Sequence, residues 1–319
     1  MKDQFGREIN YMRISLTDRC NFRCKYCMPE EGINDIGHES ILKFEQIEKI
    51  VKASAQLGIS KYRLTGGEPL VRKGVVELVE TLSGIQGVSE LAMTTNGSLL
   101  GPMAKDLKQA GLSRVNISLD TMNEDKFREI TRGGNLSSVF EGINEARRQG
   151  LTPLKINVVI MKGFNDDEII DFVQLTIMHE MDVRFIELMP VGEKVNHCKF
   201  GFMSCEEIKS KLPALRPAGD DSGVADLYKY PMARGKIGFI SPISDCFCAA
   251  CNKLRLTADG KLKTCLHSDQ EIDLKLALEG NDDELLKSAI KDAIFRKEEK
   301  HRIAEGMSTN ERSMNKIGG

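Results

Sequence analysis

The chain has 319 residues, room for about two domains or for one barrel-sized domain with an appendage. Hydrophobic residues make up 41% and charged residues 29%, a balance too apolar for disorder. Lys plus Arg number 45 against 47 Asp plus Glu, a net charge of -2 that argues against a general nucleic-acid binder. No run approaches the roughly 18 apolar residues of a membrane span, and 1–13 lacks a signal peptide's apolar core, so a cytoplasmic enzyme is expected.

Taken in chain order, the hydrophobic pattern alternates between strands and helices. Strands are expected near Tyr11–Leu16, Lys61–Leu64, Ser89–Met93, Arg114–Leu119, Lys155–Ile160 and Val183–Leu188. Amphipathic helices lie between them, one carried by Phe44, Ile47, Ile50, Val51 and Leu57. Gly58, Gly111 and Gly150 each follow such a pattern and read as helix stops. Six alternating strands predict a parallel α/β sheet, either an incomplete barrel or a doubly wound fold. After Met189 the alternation fades: 204–212 reads as helix, 224–241 as β-rich, and 273–300 as a charged, mostly solvated helical stretch. Lys253–Leu256 and Leu262–Cys265 flank Asp259-Gly260, the signature of a tight hairpin that would set Cys265 across from Cys251.

Nine cysteines without a secretory signal point to metal or redox chemistry rather than disulfides. Cys20, Cys24 and Cys27 form a C-x3-C-x2-C run with no fourth cysteine or histidine at zinc spacing. Three thiolates suit a cubane iron–sulfur cluster with one iron left open for a ligand. Cys248, Cys251 and Cys265 form a second set; His267 beside them leaves a zinc site of three thiolates and one imidazole open. Cys198 and Cys205 read as packing or surface thiols, and Cys246 as an extra thiol able to substitute for Cys248. Polar motifs fall just after strands, where a parallel barrel places its active site: Thr65-Gly66-Gly67-Glu68-Pro69, Thr94-Thr95-Asn96-Gly97 and Ser118-Leu119-Asp120.

The C-x3-C-x2-C run with Tyr26 inside it resembles the radical S-adenosylmethionine (SAM) motif, and Gly66-Gly67-Glu68-Pro69 resembles that superfamily's loop for the methionine amino group. More narrowly, the chain resembles the GTP 3',8-cyclase family of molybdenum cofactor biosynthesis over essentially its full length. The stretches that carry this are Thr17–Cys24, Arg184–Pro190, Cys251–Gly260 and the terminal Gly318-Gly319. The resemblance implies an incomplete (βα)6 TIM-like barrel over 1–200 and a cluster-binding C-terminal region over 201–319.

It further implies two 4Fe–4S clusters, on Cys20, Cys24 and Cys27 and on Cys248, Cys251 and Cys265. SAM would be held at Tyr26, Gly67, Ser118 and Met189, and GTP at Arg13, Arg63, Thr94, Lys155, Lys253, Leu254 and Arg255. A 5'-deoxyadenosyl radical would remove the ribose 3' hydrogen of GTP, and the resulting C3' radical would attack C8 of guanine. The open iron of the second cluster would face the guanine edge, and the Gly318-Gly319 tail would reach into the active site. Lys253 stands where the family often has Arg, keeping the charge but not the planar fork. A homodimer, a flavodoxin or ferredoxin as electron donor, and transfer of product to cyclic pyranopterin monophosphate synthase are also implied. Two rivals stand beside this reading: a radical-SAM peptide- or protein-modifying enzyme with an auxiliary cluster, and a non-catalytic iron–sulfur electron carrier or scaffold.

Overall fold

The computed structural model describes residues 1–32, 37–189, 200–219, 224–245, 247–280, 282–301 and 312–318. Cys198, Cys246 and Gly319, singled out in the sequence, lie outside the described residues. The first six strands are β1 (Tyr11–Ser15), β2 (Lys61–Thr65), β3 (Glu90–Thr95), β4 (Arg114–Ser118), β5 (Leu154–Ile160) and β6 (Met181–Glu187). Each lies within two residues of its expected place. Between them run helices α1 (Phe44–Gln56), α2 (Val75–Ser83), α3 (Leu100–Gln109), α4 (Glu124–Thr131), α5 (Leu136–Arg148) and α6 (Ile169–Met178). Gly58, Gly111 and Gly150, just beyond α1, α3 and α5, have φ of 90°, 98° and 68°, the left-handed conformation that ends a helix.

The later chain supplies α7 (Cys205–Ser210), β7 (Arg216–Pro217), β8 (Asp226–Lys229), β9 (Ile237–Ile240), β10 (Lys253–Leu256), β11 (Lys261–Lys263), β12 (Glu271–Asp273), α8 (Lys275–Glu279) and α9 (Asp283–Phe295). All twelve strands share one sheet, ordered β12-β11-β10-β1-β2-β3-β4-β5-β6-β9-β8-β7. The C-terminal strands extend it at both edges. β10 pairs parallel to β1 and β9 parallel to β6, so the run of parallel strands is eight rather than six. The hairpin of β10 and β11 forms as expected, but Arg255 pairs with Lys263 and Leu256 with Leu262. Continued outward, that register sets Cys265 beside Lys253, two residues from the partner expected for it.

One face of the sheet is apolar. Met12, Ile14, Tyr62, Leu64, Met93, Ile117, Ile156, Val183, Phe185, Leu254 and Leu256 point under the helices and make the core. The alternate positions of the same strands are polar: Arg13, Ser15, Arg63, Thr65, Thr94, Arg114, Asn116, Lys155, Asn157, Asp182, Arg184 and Arg255. The period of two thus sorts each strand into a helix-packed outer face and a polar inner face. Helix α5 packs closely on the start of α3 and the turn before it: a Cβ on Gly142 would stand 2.3 Å from the carbonyl of Gly97 and 3.2 Å from the Leu100 Cβ. The 273–300 stretch is less solvated than expected, since α9 buries Leu286, Ile290, Ala293 and Ile294 and packs against α1. Among the described residues no helix is long and apolar enough to cross a membrane.

Candidate functional site

The C-x3-C-x2-C loop follows β1 and is fixed along its length. Arg23 and Lys25 donate backbone N–H groups to Thr131 and Ile130 at the end of α4, at 3.1 and 2.9 Å. Phe22 meets Phe127 edge-on at 5.7 Å, and Arg132 Nη1 caps the carbonyls of Arg23 and Met28. The Gly66-Gly67-Glu68 segment runs against the same loop: Gly67 donates to the Thr17 carbonyl at 2.7 Å and Glu68 to that of Arg19 at 2.8 Å. A Cβ on Gly67 would stand 2.3 Å from the Arg19 carbonyl, so glycine is required there for backbone approach. Glu68 is fully buried; it accepts from Thr95 Oγ1 and the Asn96 N–H at 2.7 Å, and burial pushes it up to about 7. Tyr26 donates to Asp120 Oδ2 at 2.7 Å, joining the loop to the end of β4.

The three thiols share one desolvated region. Burial pushes Cys20 up to about 11 and Cys27 up to about 12, and Cys24 well above its ordinary value, with neighbouring thiols adding repulsion at Cys24 and Cys27 and Glu68 at Cys20. Such a set ionises together only around a compensating positive centre, which an iron–sulfur core provides. Among the described residues no three Cys, His, Asp or Glu side chains converge on a single-ion site. A cubane instead places each thiolate on its own iron, so the donor set fits a cluster better than zinc.

In the second set, Cys248 opens a 3-10 turn and Cys251 closes it, its N–H donating to the Cys248 carbonyl at 3.1 Å. Burial pushes the Cys251 thiol up, but Lys297, the Lys253 N–H and the Lys253 charge outweigh it and hold Cys251 below its ordinary value. His267 stands 5.2 Å from the His301 ring; burial, then His301, Arg255 and Lys263, push it down to about 3. Cys205, by contrast, is buried at the start of α7 and donates to the Ile240 carbonyl, a packing role.

Between the two sets lies the polar inner face. Register aligns Arg255 on β10, Arg13 on β1 and Arg63 on β2 side by side. Burial, then Arg255 and Arg63, push the Arg13 guanidinium well below its ordinary value, while nearby Tyr11 opposes this. Lys253 is pushed down to about 8 by burial and by Arg13, Arg255 and Arg63, against an opposing pull from Cys251. The Tyr11 ring lies between two cations, 5.8 Å from the Arg63 guanidinium and 5.4 Å from Lys253 Nζ. Tyr11 also accepts from Arg63 Nε, and Arg63 Nη1 donates to Thr94 Oγ1 at 3.3 Å. Lys155, 6% exposed, sits on the inner face with Asp182 Oδ2 at 4.0 Å rather than snorkelling from an edge.

The chain's end enters this space. Asn315 Nδ2 donates to the Asp18 carbonyl at 2.9 Å, and its backbone N–H works against the upward push of burial on the Cys27 thiol. Gly318, at φ 71°, puts its carbonyl 2.8 Å from Arg255 Nη1. A Cβ there would stand 2.6 Å from Thr65 Oγ1 and 3.2 Å from the Ser15 Cβ. The tail therefore touches the first cysteine loop and the arginine row at once.

Of the residues expected at the site, Arg13, Arg63, Thr94, Lys155, Lys253, Arg255, Ser118 and Gly318 lie on or against the inner face, and Tyr26 and Gly67 lie at the cysteine loop. Met189 follows β6 and is half-buried. Leu254 is set apart: its side chain is fully buried in the opposite, apolar layer, leaving only backbone to serve the site. Sequence reasoning assigned no role to Tyr11, Arg114, Asn116, Asn157 or Asp182, and noted Arg184 only within a motif. Their shared signal is alternation, polar residues two apart in strands whose other face is fully apolar. Asn157 Oδ1 is buried with no hydrogen-bond partner among the described residues, and Asn157 pairs in register with Ser118 and Arg184.

Residues 14–176 match the Radical SAM superfamily, and residues 181–303 the Molybdenum Cofactor Synthesis C family. Over its whole length the chain is 52% identical to the full-length GTP 3',8-cyclase of Alkaliphilus metalliredigens strain QYMF. It is 50% identical, again over both full lengths, to the GTP 3',8-cyclase of Clostridium botulinum strain Langeland. Among solved structures, SAM-bound Streptococcus suis SuiB superposes with a TM-score of 0.65 at 14% identity, covering 89% of this chain and 68% of its own, a likeness of fold. The chain belongs to the GTP 3',8-cyclase family of the radical SAM superfamily.

Proposed function

We propose that the protein converts GTP to (8S)-3',8-cyclo-7,8-dihydroguanosine 5'-triphosphate, the opening step of molybdenum cofactor biosynthesis. The observation that carries this is the register row Arg255–Arg13–Arg63, with Lys253 one inward position before Arg255, between two triple-cysteine sets. Buried guanidiniums that repel one another lower their joint energy when a polyanion enters among them, and a nucleoside triphosphate supplies several charges on adjacent phosphates. Neither rival function calls for such a row.

The residues divide the work. Cys20, Cys24 and Cys27 would hold the first cluster, with Tyr26, Gly67, Ser118 and Met189 placed to bind SAM beside it. Cys248, Cys251 and Cys265 would hold the second cluster at the guanine end. Bound at the first site, cluster and SAM supply a 5'-deoxyadenosyl radical as hydrogen acceptor. Arg13, Arg63, Lys253 and Arg255 bind the triphosphate, while Thr94, Lys155 and the Leu254 backbone orient the ribose and base. The Gly318-Gly319 tail serves activity: Gly318, seated against Arg255, helps to keep water from the reacting ribose.

The domain reading follows the same division, 1–200 for the SAM barrel and 201–319 for the second cluster and tail. The protein works in the cytoplasm as a homodimer, takes electrons from a flavodoxin or ferredoxin, and passes its product to cyclic pyranopterin monophosphate synthase. The test is anaerobic reconstitution followed by SAM and dithionite, with and without GTP. The expected result is 5'-deoxyadenosine that depends on GTP, together with a GTP isomer of unchanged mass. Formation of 5'-deoxyadenosine indifferent to GTP would contradict the substrate assignment.

A further inference from the structure

The second cysteine set is fastened by two buried cations for which the proposed reaction has no use. Lys297, just after α9, is 2% exposed. Its Nζ donates to the Lys253 carbonyl at 3.1 Å and to the Thr264 carbonyl. Those carbonyls stand two residues after Cys251 and one before Cys265. The charge of Lys297 also helps to hold the Cys251 thiol below its ordinary value. Two of its N–H donors thus hold the carbonyls beside the two cysteines, and the Cys251 sulfur is the neighbouring group able to carry a full negative charge.

The second cation secures the first. Arg7 is buried and held by Asp3, Nε to Oδ2, at 2.6 Å. Its Nη1 donates at 2.9 Å to the carbonyls of Cys248 and Glu299, and its Nη2 to those of Glu298 at 2.7 Å and Lys297 at 3.4 Å. One guanidinium therefore ties the Cys248 turn to the segment bearing Lys297, and one ammonium ties that segment to the chain beside Cys251 and Cys265. Removing a lysine from water without a counter-charge is costly, and neutral carbonyls offset only part of that cost. A thiolate bound to a cluster would supply the rest.

We propose that Lys297 is a positioning residue of the second cluster, clamping the Cys251 and Cys265 segments and holding a positive charge against the cluster, with Arg7 locking its chain to Cys248. The inference rests on the reading of Cys248, Cys251 and Cys265 as cluster ligands. Adding an electron to the cluster adds negative charge, so a fixed cation beside a ligand sulfur favours the reduced form. The first cluster, which Lys297 does not touch, serves as an internal control.

The experiment compares full-length reconstituted wild type, Lys297→Met and Lys297→Arg by paramagnetic-resonance redox titration with dithionite and by iron release to a chelator. In Lys297→Met the second cluster should be harder to reduce and lose iron roughly 10- to 100-fold faster, with the first cluster unchanged. Lys297→Arg should return the potential toward wild type. If the methionine variant fails to fold, Lys297→Gln removes the charge while keeping two N–H donors on a side chain one atom shorter, and the second cluster must still become harder to reduce. A wild type holding only about four irons would overturn the ligand reading and the inference with it. A wild type holding about eight, with variants that match it in potential and iron release, would overturn the role of Lys297 alone.

Discussion

Substituting Gly318 by alanine tests whether the tail seats in the inner space as its contacts indicate. Gly318 has φ 71°, where an L-residue pays about 1–2 kcal/mol. The added Cβ would also stand 2.6 Å from Thr65 Oγ1 and 3.2 Å from the Ser15 Cβ. Thr65 cannot swing aside freely, because its hydroxyl donates to the Ile14 carbonyl at 3.2 Å. Overpacking of this kind costs about 1–3 kcal/mol. The two penalties together reach about 2–5 kcal/mol, or roughly 30-fold to several thousand-fold against the seated tail. No core residue is altered, so the thermal midpoint and iron content should stay at wild-type values. The assay is kcat and kcat/KM for GTP cyclisation, measured beside iron content and Tm. A Gly318→Ala enzyme that keeps wild-type kcat within about threefold would refute a seated tail as a condition of turnover.

Three further outcomes follow from the same geometry. Gly67→Ala places a Cβ 2.3 Å from the Arg19 carbonyl, so the first cysteine loop must shift; about half of the cluster iron should be lost while the second set keeps its own, and full iron with a normal SAM-dependent spectrum would count against this. Arg63→Met removes a charged contact worth about 1.5–3 kcal/mol, so GTP should bind roughly 10- to 150-fold more weakly, yet the nucleotide-free protein should melt no lower because arginine repulsion is relieved. Unchanged GTP affinity by calorimetry would argue that the row is not the triphosphate site. Lys253, held at about 8 mainly by burial, should be pulled back up by a bound triphosphate. The free protein then loses this proton as pH rises through 8 while the complex keeps it, so binding takes up a proton and affinity falls with rising pH. Calorimetry near pH 8.5 should give a heat that varies with the buffer's ionisation enthalpy; a buffer-independent heat is the contrary result.

Much of this architecture is legible in the residues because it is local. The six strands come from apolar positions at a period of two, and the stops after α1, α3 and α5 from glycines at positive φ. The cysteine sets are legible because ligand spacing is a property of short segments. What escapes is long-range. That β9 and β10 join the two edges of the parallel run depends on pairings with β6 and β1, which no local pattern encodes. The hairpin register differs by two residues from the expected one, since Asp259-Gly260 marks a turn without fixing which residues oppose each other. The inner arginine row was partly visible as alternation, but only register puts Arg255, Arg13 and Arg63 side by side. Lys297, in a stretch read as solvated, shows the limit most clearly: nothing local distinguishes a buried lysine from its exposed neighbours.

The central claim is that this chain moves the ribose 3' hydrogen of GTP to the 5'-deoxyadenosyl group. The most direct measurement supplies GTP deuterated at C3' to the anaerobically reconstituted protein with SAM and dithionite, and reads both products by mass spectrometry. The account predicts one deuterium in 5'-deoxyadenosine and a cyclised nucleotide one mass unit lighter than the labelled GTP. Unlabelled 5'-deoxyadenosine, with the deuterium still in the nucleotide, would contradict it.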